Sequence, residues 1–190
     1  MTKAGNQVKA FFFDLDGTLC DTDKANYLAY KKSFEKEGYQ FTKSDFNKVN
    51  GHRADLFIPM LIKNISKSKV QLIREHKAEY YPELLHLAKP NKSLINFLES
   101  MKKSHKMVLV TTARRQNAIH ILKKSNLDKS FDYMIFGDDI KNPKPKPDVY
   151  LKALKITKLK PSQVIVFEDS EVGIAAAKKA GLTVIKVEMQ

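Results

Sequence analysis

Five short apolar runs are spaced along the chain, at residues 8–13, 107–110, 133–136, 164–167 and 183–187. Each is about the length of a strand, and most lack the in–out alternation of a half-exposed one. Strands buried on both faces of a parallel sheet read this way. Helix-period segments separate the later runs. Leu94, Ile95, Phe97, Leu98 and Met101 form one apolar face, with Ser93 available as cap, and Ala118, Ile119 and Leu122 form the next. Pro147 can open a helix carrying Val149, Leu151 and Leu154. Ser170 can cap a helix through Ala175, Ala176 and Ala177 that closes on Lys178, Lys179 and Gly181. The pattern predicts an α/β protein with a doubly wound parallel sheet.

Residues 21–88 interrupt this alternation. They show helical spacing and no convincing strand: Tyr27, Tyr30 and Phe34 share one face, and Val70, Ile73, Tyr80 and Leu84 another. Val49, Asn50, Gly51, His52 and Arg53 read as a loop between them. An all-helical lobe inserted after the first strand is expected, with core segments at 1–20 and 89–190. One core with a smaller inserted lobe fits a chain of 190 residues.

At 43% hydrophobic residues the chain can fill a packed core. Its one cysteine, Cys20, excludes an internal disulfide and fits a reducing compartment. Residues 1–10 lack the apolar run of a signal peptide, and no stretch of about 18 apolar residues could span a membrane. A cytoplasmic protein, a monomer or weak dimer, is expected. The net charge of +13 is open to three readings: a nucleic-acid partner, steering of small anions, or solvated lysines. The lysines are spread along the chain, with no basic block and no aromatic–basic module, so no nucleic-acid partner is expected.

In open α/β sheets, ligands bind beyond the carboxyl ends of the strands. The residues just past three of the apolar runs are oxygen-rich: Asp14-Leu15-Asp16-Gly17-Thr18, Thr111-Thr112, and Glu168-Asp169. Phosphoryl transfer through an enzyme carboxylate needs a nucleophile and a nearby acid/base for the leaving oxygen. Asp14, directly after a buried strand, suits the first role, and Asp16 on the turn at Gly17 suits the second. An Asp-Gly hairpin turn is the plainer alternative. Mg²⁺ prefers oxygen ligands, which Asp14 and Asp169 can supply with Glu168 in support. Glu168, Asp169 and Ser170 could also simply favour a helix N-terminus. Thr111, with Thr112 beside it, and Lys144, between Pro143 and Pro145, suit the oxygens of a transferring phosphoryl group.

These residues, in this order, resemble the motifs of the haloacid dehalogenase superfamily. Asp14-Leu15-Asp16-Gly17-Thr18 resembles the first motif, Thr111 the second, and Lys144 in Lys144-Pro145-Lys146-Pro147-Asp148 the third. The run from Phe167 to Ala177 resembles the fourth, in the form typical of the beta-phosphoglucomutase and phosphoglycolate phosphatase branch. The resemblance implies a Rossmann-like core, a helical cap after the first motif and a bound Mg²⁺. It implies further that Asp14 is phosphorylated in turnover, and that Asp16 ligates metal through its carbonyl while its side chain acts as acid/base. The second aspartate argues against dehalogenation and against phosphonate cleavage. Sugar phosphomutases carry a histidine a few residues after the first motif, where this chain has Asn26 by count. A cap loop near Gly51 makes His52 and Arg53 candidates for substrate contact. The expected function is a phosphatase acting on a small phosphorylated metabolite, with a sugar phosphomutase as the alternative.

Overall fold

The computed structural model describes residues 7–49 and 51–189, so Asn50 of the expected loop lies outside the described residues. Five parallel strands form one sheet. They are β1 (Ala10–Phe13), β4 (Lys106–Val110), β5 (Tyr133–Ile135), β6 (Val164–Glu168) and β7 (Thr183–Lys186), in the order β5-β4-β1-β6-β7. The chain leaves β1 toward β4 and later returns to its other side at β6. The topological switch therefore falls at β1.

The register sets what meets there. Phe13 stands level with Leu109 of β4 and Phe167 of β6. The next residue on β1 is Asp14, so it comes level with Val110 and Glu168. Thr111 and Asp169 follow one step on.

Both faces of the inner strands β1, β4 and β6 are covered, which is why they are apolar at successive positions; the edge strand β7, expected from its apolar run to be buried on both faces, leaves Ile185 45% exposed because no strand lies beyond it. Phe11 and Phe13 join a cluster with Leu94 and Leu98 of α5 (Lys92–Met101) and Ala118, Ile121 and Leu122 of α6 (Arg115–Lys124). Ala10 and Phe12 pack oppositely, with Val149, Tyr150 and Ala153 of α7 (Asp148–Thr157) and Ala176 and Ala177 of α8 (Glu171–Lys179). Phe12 and Phe13 are fully buried, each contributing roughly 2–3 kcal/mol of transfer free energy.

Among the described residues between Asp21 and Lys89 lie four α-helices: α1 (Asp23–Lys36), α2 (Lys43–Val49), α3 (Ala54–Leu61) and α4 (Lys67–Leu84). They enclose their own cluster around Phe34, Phe41, Phe46, Phe57, Ile58 and Ile73. The roots of α1 and α4 behave differently. Ala25, Ala29, Tyr81 and Leu84 pack into the cluster beneath the sheet. A short antiparallel pair, β2 (Cys20–Asp21) with β3 (Lys89–Pro90), ties the two chain crossings together. Two-residue strands carry no periodicity, so they left no trace in the sequence pattern.

Three local expectations shift. The cap of α5 is Asn91, whose side chain accepts from Leu94 N at 3.2 Å, rather than Ser93. On α4 the buried position is Tyr81 rather than Tyr80. On α7 Tyr150 is buried while Leu151 is 48% exposed. The Tyr150 hydroxyl is drawn inward by a buried carboxylate described below. Ser170 caps α8 as expected, accepting from Gly173 N at 3.2 Å.

Candidate active site

Asp14 is tied to the end of β6 by a hydrogen bond from its backbone N–H to Phe167 O, at 3.0 Å. Its carboxylate Oδ1 accepts from Lys144 Nζ at 2.6 Å, and the same ammonium donates to Glu168 Oε2 at 2.6 Å. All three side chains are buried, Lys144 to 2% exposure. Glu168 is fully engaged: Oε2 also accepts from Tyr150 OH at 2.8 Å, and Oε1 accepts from Ser170 Oγ at 2.7 Å. Asp169 is held by Thr18, whose hydroxyl donates to Oδ1 at 2.8 Å.

After Asp14 the backbone doubles back. Leu19 N and Cys20 N donate to Leu15 O, and Gly17 N donates to Cys20 O. Gly17 sits at φ +84°, and a Cβ there would lie 2.2 Å from Asp169 Oδ2. No side chain fits between this turn and Asp169. Gly17→Ala is therefore expected to destabilise the fold by at least about 1–2 kcal/mol from its backbone conformation alone, with the clash added. Urea denaturation reads this directly; unchanged stability would mean the turn and Asp169 are not held together.

The turn aims Asp16 toward the start of α1. Its Oδ1 accepts from Thr22 Oγ1 at 2.5 Å and from Asn26 Nδ2 at 3.1 Å. Thr111 is buried at the end of β4, its Oγ1 accepting from Ala113 N at 3.0 Å. Thr112 follows it on the wall of the cleft.

The charges explain the proton affinities. Burial pushes the Asp14 carboxyl well above the usual carboxylate range, the Glu168 charge adds to this, and Lys144 opposes it. Asp169 is pushed up to about 6, first by burial and then by Glu168. Burial works against the Lys144 ammonium, but Asp14 and Glu168 outweigh it and hold the proton firmly. Three carboxylates thus face one ammonium. Ligand atoms of Asp14, Glu168 and Asp169 all lie within 4.8 Å of one another. A hard oxygen donor set with excess buried negative charge suits a divalent cation.

The lobe closes the other side of the same cleft, which Gly51, His52 and Arg53 line together with Asp14 and Asp16. Gly51, at φ +76°, presses so closely on α8 that a Cβ would lie 2.6 Å from Val172 Cγ2. Arg53 is paired bidentately with Asp55, at 2.7 Å for each bond. Its Nη1 reaches Gly137 O at 3.4 Å and Ile140 O at 3.5 Å, across the cleft.

The structure thus brings all the sequence candidates to one cleft: Asp14, Asp16, Thr111, Thr112, Lys144, Glu168 and Asp169 from the sheet side, His52 and Arg53 from the lobe. The sequence reading missed Tyr150, Asn117 and Lys77. Lys77 left one usable signal, since it stands seven residues after Val70 and seven before Leu84 on the buried face of α4.

Comparison with known proteins bears on this arrangement. Residues 11–187 match a family described as haloacid dehalogenase-like hydrolase. The chain is similar to the phosphorylated carbohydrates phosphatase of Thermotoga maritima, 35% identical over 181 residues, covering 92% of this chain and 82% of that protein. It resembles the crystal structure of beta-phosphoglucomutase from Clostridium difficile, with a TM-score of 0.85 and 25% identity, covering 96% of this chain and 86% of that one. It shares its fold with CbbY from Rhodobacter sphaeroides in complex with phosphate, with a TM-score of 0.88 and 22% identity over 97% of this chain and 88% of that one.

Proposed function

The chain belongs to the haloacid dehalogenase-like hydrolase family, and from that premise we propose that it is a magnesium-dependent phosphatase releasing phosphate from a small phosphorylated metabolite by way of Asp14. The observation that carries this reading is the Asp14–Lys144–Glu168 ion-paired cluster at the switch point of the sheet, with Asp16 on the adjoining turn. The likeness to a phosphatase of phosphorylated carbohydrates supports a sugar phosphate as the substrate class. The free, buried Cys20 fits a cytoplasmic setting.

The chemistry follows from where each group stands. An Asp14 carboxylate oxygen attacks phosphorus while the ester P–O bond breaks, and Asp16 delivers a proton to the departing oxygen. Asp16 then takes a proton from water, which attacks the phosphorus. Phosphate leaves and the Asp14 carboxylate is regenerated. Lys144 and Thr111, with Thr112 alongside, hold the non-bridging oxygens. Glu168 keeps Lys144 in place, since both its oxygens are already engaged. Asp14, Asp169 and the Asp16 carbonyl would hold Mg²⁺, with Glu168 adding negative charge behind them. The bound ion offsets repulsion between Asp14 and an anionic substrate. Residues 1–20 and 89–190 act as the catalytic core and 21–88 as a lid. The lid opens where Arg53 and Gly51 meet the core, with the paired crossings at β2 and β3 as its hinge.

Hydrolysis is favoured over mutase chemistry by Asn26. A mutase has to keep water from its phosphorylated intermediate. At the position where the mutases have a titrating histidine by count, Asn26 donates to Asp16 Oδ1 and cannot carry a proton near neutral pH. The test supplies glucose 1-phosphate with a trace of the bisphosphate, in Mg²⁺ and in chelator. Free phosphate that disappears on chelation is expected. Predominant glucose 6-phosphate would establish the mutase instead, and full activity after rigorous metal removal would overturn the role of Asp169.

A further inference from the structure

One short segment of the lobe touches the core on both sides of Asp14. Gly51 presses on Val172 and Ser170 at the start of α8, which follows β6. Two residues on, Arg53 meets Gly137 and Ile140 in the loop that follows β5. In the sheet order β5-β4-β1-β6-β7, strands β4 and β1 lie between these two contacts. Residues 51–53 therefore form a strap over the strand ends that carry Thr111 and Asp14.

The strap is held unequally. Asp55, in the first turn of α3, takes Arg53 Nε and Nη2 on its two oxygens at 2.7 Å each. A planar fork bound to a planar carboxylate has its orientation fixed, and Nη1 is the edge left over. That edge meets Gly137 O at 3.4 Å and Ile140 O at 3.5 Å. Among the described residues, both core partners of Arg53 are thus backbone carbonyls. The acids of the same loop are turned elsewhere: Asp138 accepts from Arg115 N, and Asp139 from Arg115 Nη2 and Phe136 N. The receiving loop is itself anchored to the segment after β4. Gly137 N donates to Ala113 O at 2.9 Å, and a Cβ on Gly137 would lie 2.1 Å from Thr112 O. The strong, charged bonds lie within the lobe, and the long, neutral ones cross the cleft. Such a latch can open without leaving a charge unpaired, because Arg53 keeps Asp55 as the lobe moves.

Resting on the reading of residues 21–88 as a lid over a phosphatase site, we propose that Asp55 is a positioning residue: it commits Arg53 to the loop after β5, so that contacts within the protein hold the strap over Asp14. The same pairing withholds the guanidinium from the carboxylates of the cleft, Asp14, Asp16 and Asp169, and from an anionic substrate. Arg53 is then a closure element and not a substrate ligand. Removing the Asp55 charge lets the fork turn, and the equilibrium of the lobe shifts away from the core.

The test places spin labels at Lys63→Cys in the lobe and Lys155→Cys on α7, both exposed positions of the full-length protein, and measures the distance between them by double electron–electron resonance. Cys20 is fully buried and stays unlabelled. A narrow distance distribution is expected in this labelled parent. Asp55→Asn and Arg53→Gln should each broaden it toward longer distances. The double variant should broaden it no more than Arg53→Gln alone, since Asp55 acts through Arg53, and Asp55→Glu should keep most of the parent distribution. In turnover of a sugar phosphate, both single variants should raise KM by at least about threefold, with a smaller effect on kcat, because the closed, competent form is less populated. A fall in KM for Asp55→Asn with a rise for Arg53→Gln overturns the proposal and makes Arg53 a substrate ligand that Asp55 restrains. A broad distribution in the parent, or unchanged distances in both variants, overturns it as well and leaves the pair as a local stabiliser of α3. If Asp55→Asn does not fold, as judged by circular dichroism, Arg53→Gln and Asp55→Glu still decide. The phosphatase reading fails separately, if the unsubstituted protein releases phosphate from no sugar phosphate; the distances are measured without turnover and decide the latch in either case.

Discussion

Asp14→Asn is expected to lower turnover by roughly 10⁴-fold or more, the scale on which removal of a covalent nucleophile acts, while thermal stability holds or rises. The amide is nearly the same shape as the carboxylate and offers phosphorus no comparable nucleophile. Lys144 keeps its bond to Glu168 in the variant. The substitution also removes one of three buried carboxylates set around one ammonium, where burial first and the Glu168 charge second hold Asp14 and Asp169 above their usual proton affinity. In chelator, the melting temperature should therefore be no lower than that of the parent. Function gained at the expense of stability is a common feature of active sites. Phosphate release by the folded variant within tenfold of the parent would remove Asp14 from the chemistry. A large fall in melting temperature would show that the charge cluster stabilises the fold and does not strain it.

Lys144→Met should act in the opposite sense on stability. Met fills a similar volume, so the loss is of charge and not of packing. It leaves Asp14 and Glu168 buried side by side with no cation between them. Breaking a buried ion pair by removing one partner costs about 3–5 kcal/mol, which lowers the melting temperature of a chain this size by about 10 °C. Activity should fall as well, by roughly 10²–10³-fold, because a preorganised cation no longer meets the transferring oxygens. Combining Lys144→Met with Asp14→Asn should recover part of the lost stability, since the two residues share one interaction and their effects do not add. Melting curves in chelator for the four proteins measure this. Unchanged stability of Lys144→Met would mean the two carboxylates do not need the lysine.

The site residues were legible because each announces itself locally. Asp14, Thr111 and Glu168 each follow an apolar run directly, at the carboxyl end of a strand, where a polar group can reach partners in the cleft. Ser170 could be read as a cap because capping is a contact three residues long. The parallel sheet could be read because burial on both faces leaves an unalternating run in the chain itself.

Other features depend on what distant segments bring. Lys77 looks like any lysine on a helix until α1 folds Tyr30 over it and α4 supplies Tyr81. Arg53 read as a candidate substrate contact, and only the folded chain shows that Asp55 pairs with it and that its Nη1 reaches the loop after β5. Glu168 read as support for a metal, and nothing local showed that Lys144, Tyr150 and Ser170 would converge on its two oxygens from three different segments. The sequence by itself determined the five strands of the parallel sheet, the helical character of the lobe and which polar residues stand at the strand ends, because those follow from backbone periodicity and short-range hydrogen bonding. Tertiary structure alone decided which charges are paired and how the lobe meets the core. Desolvation and Coulomb interaction act through space between residues far apart in the chain, and no local pattern records them.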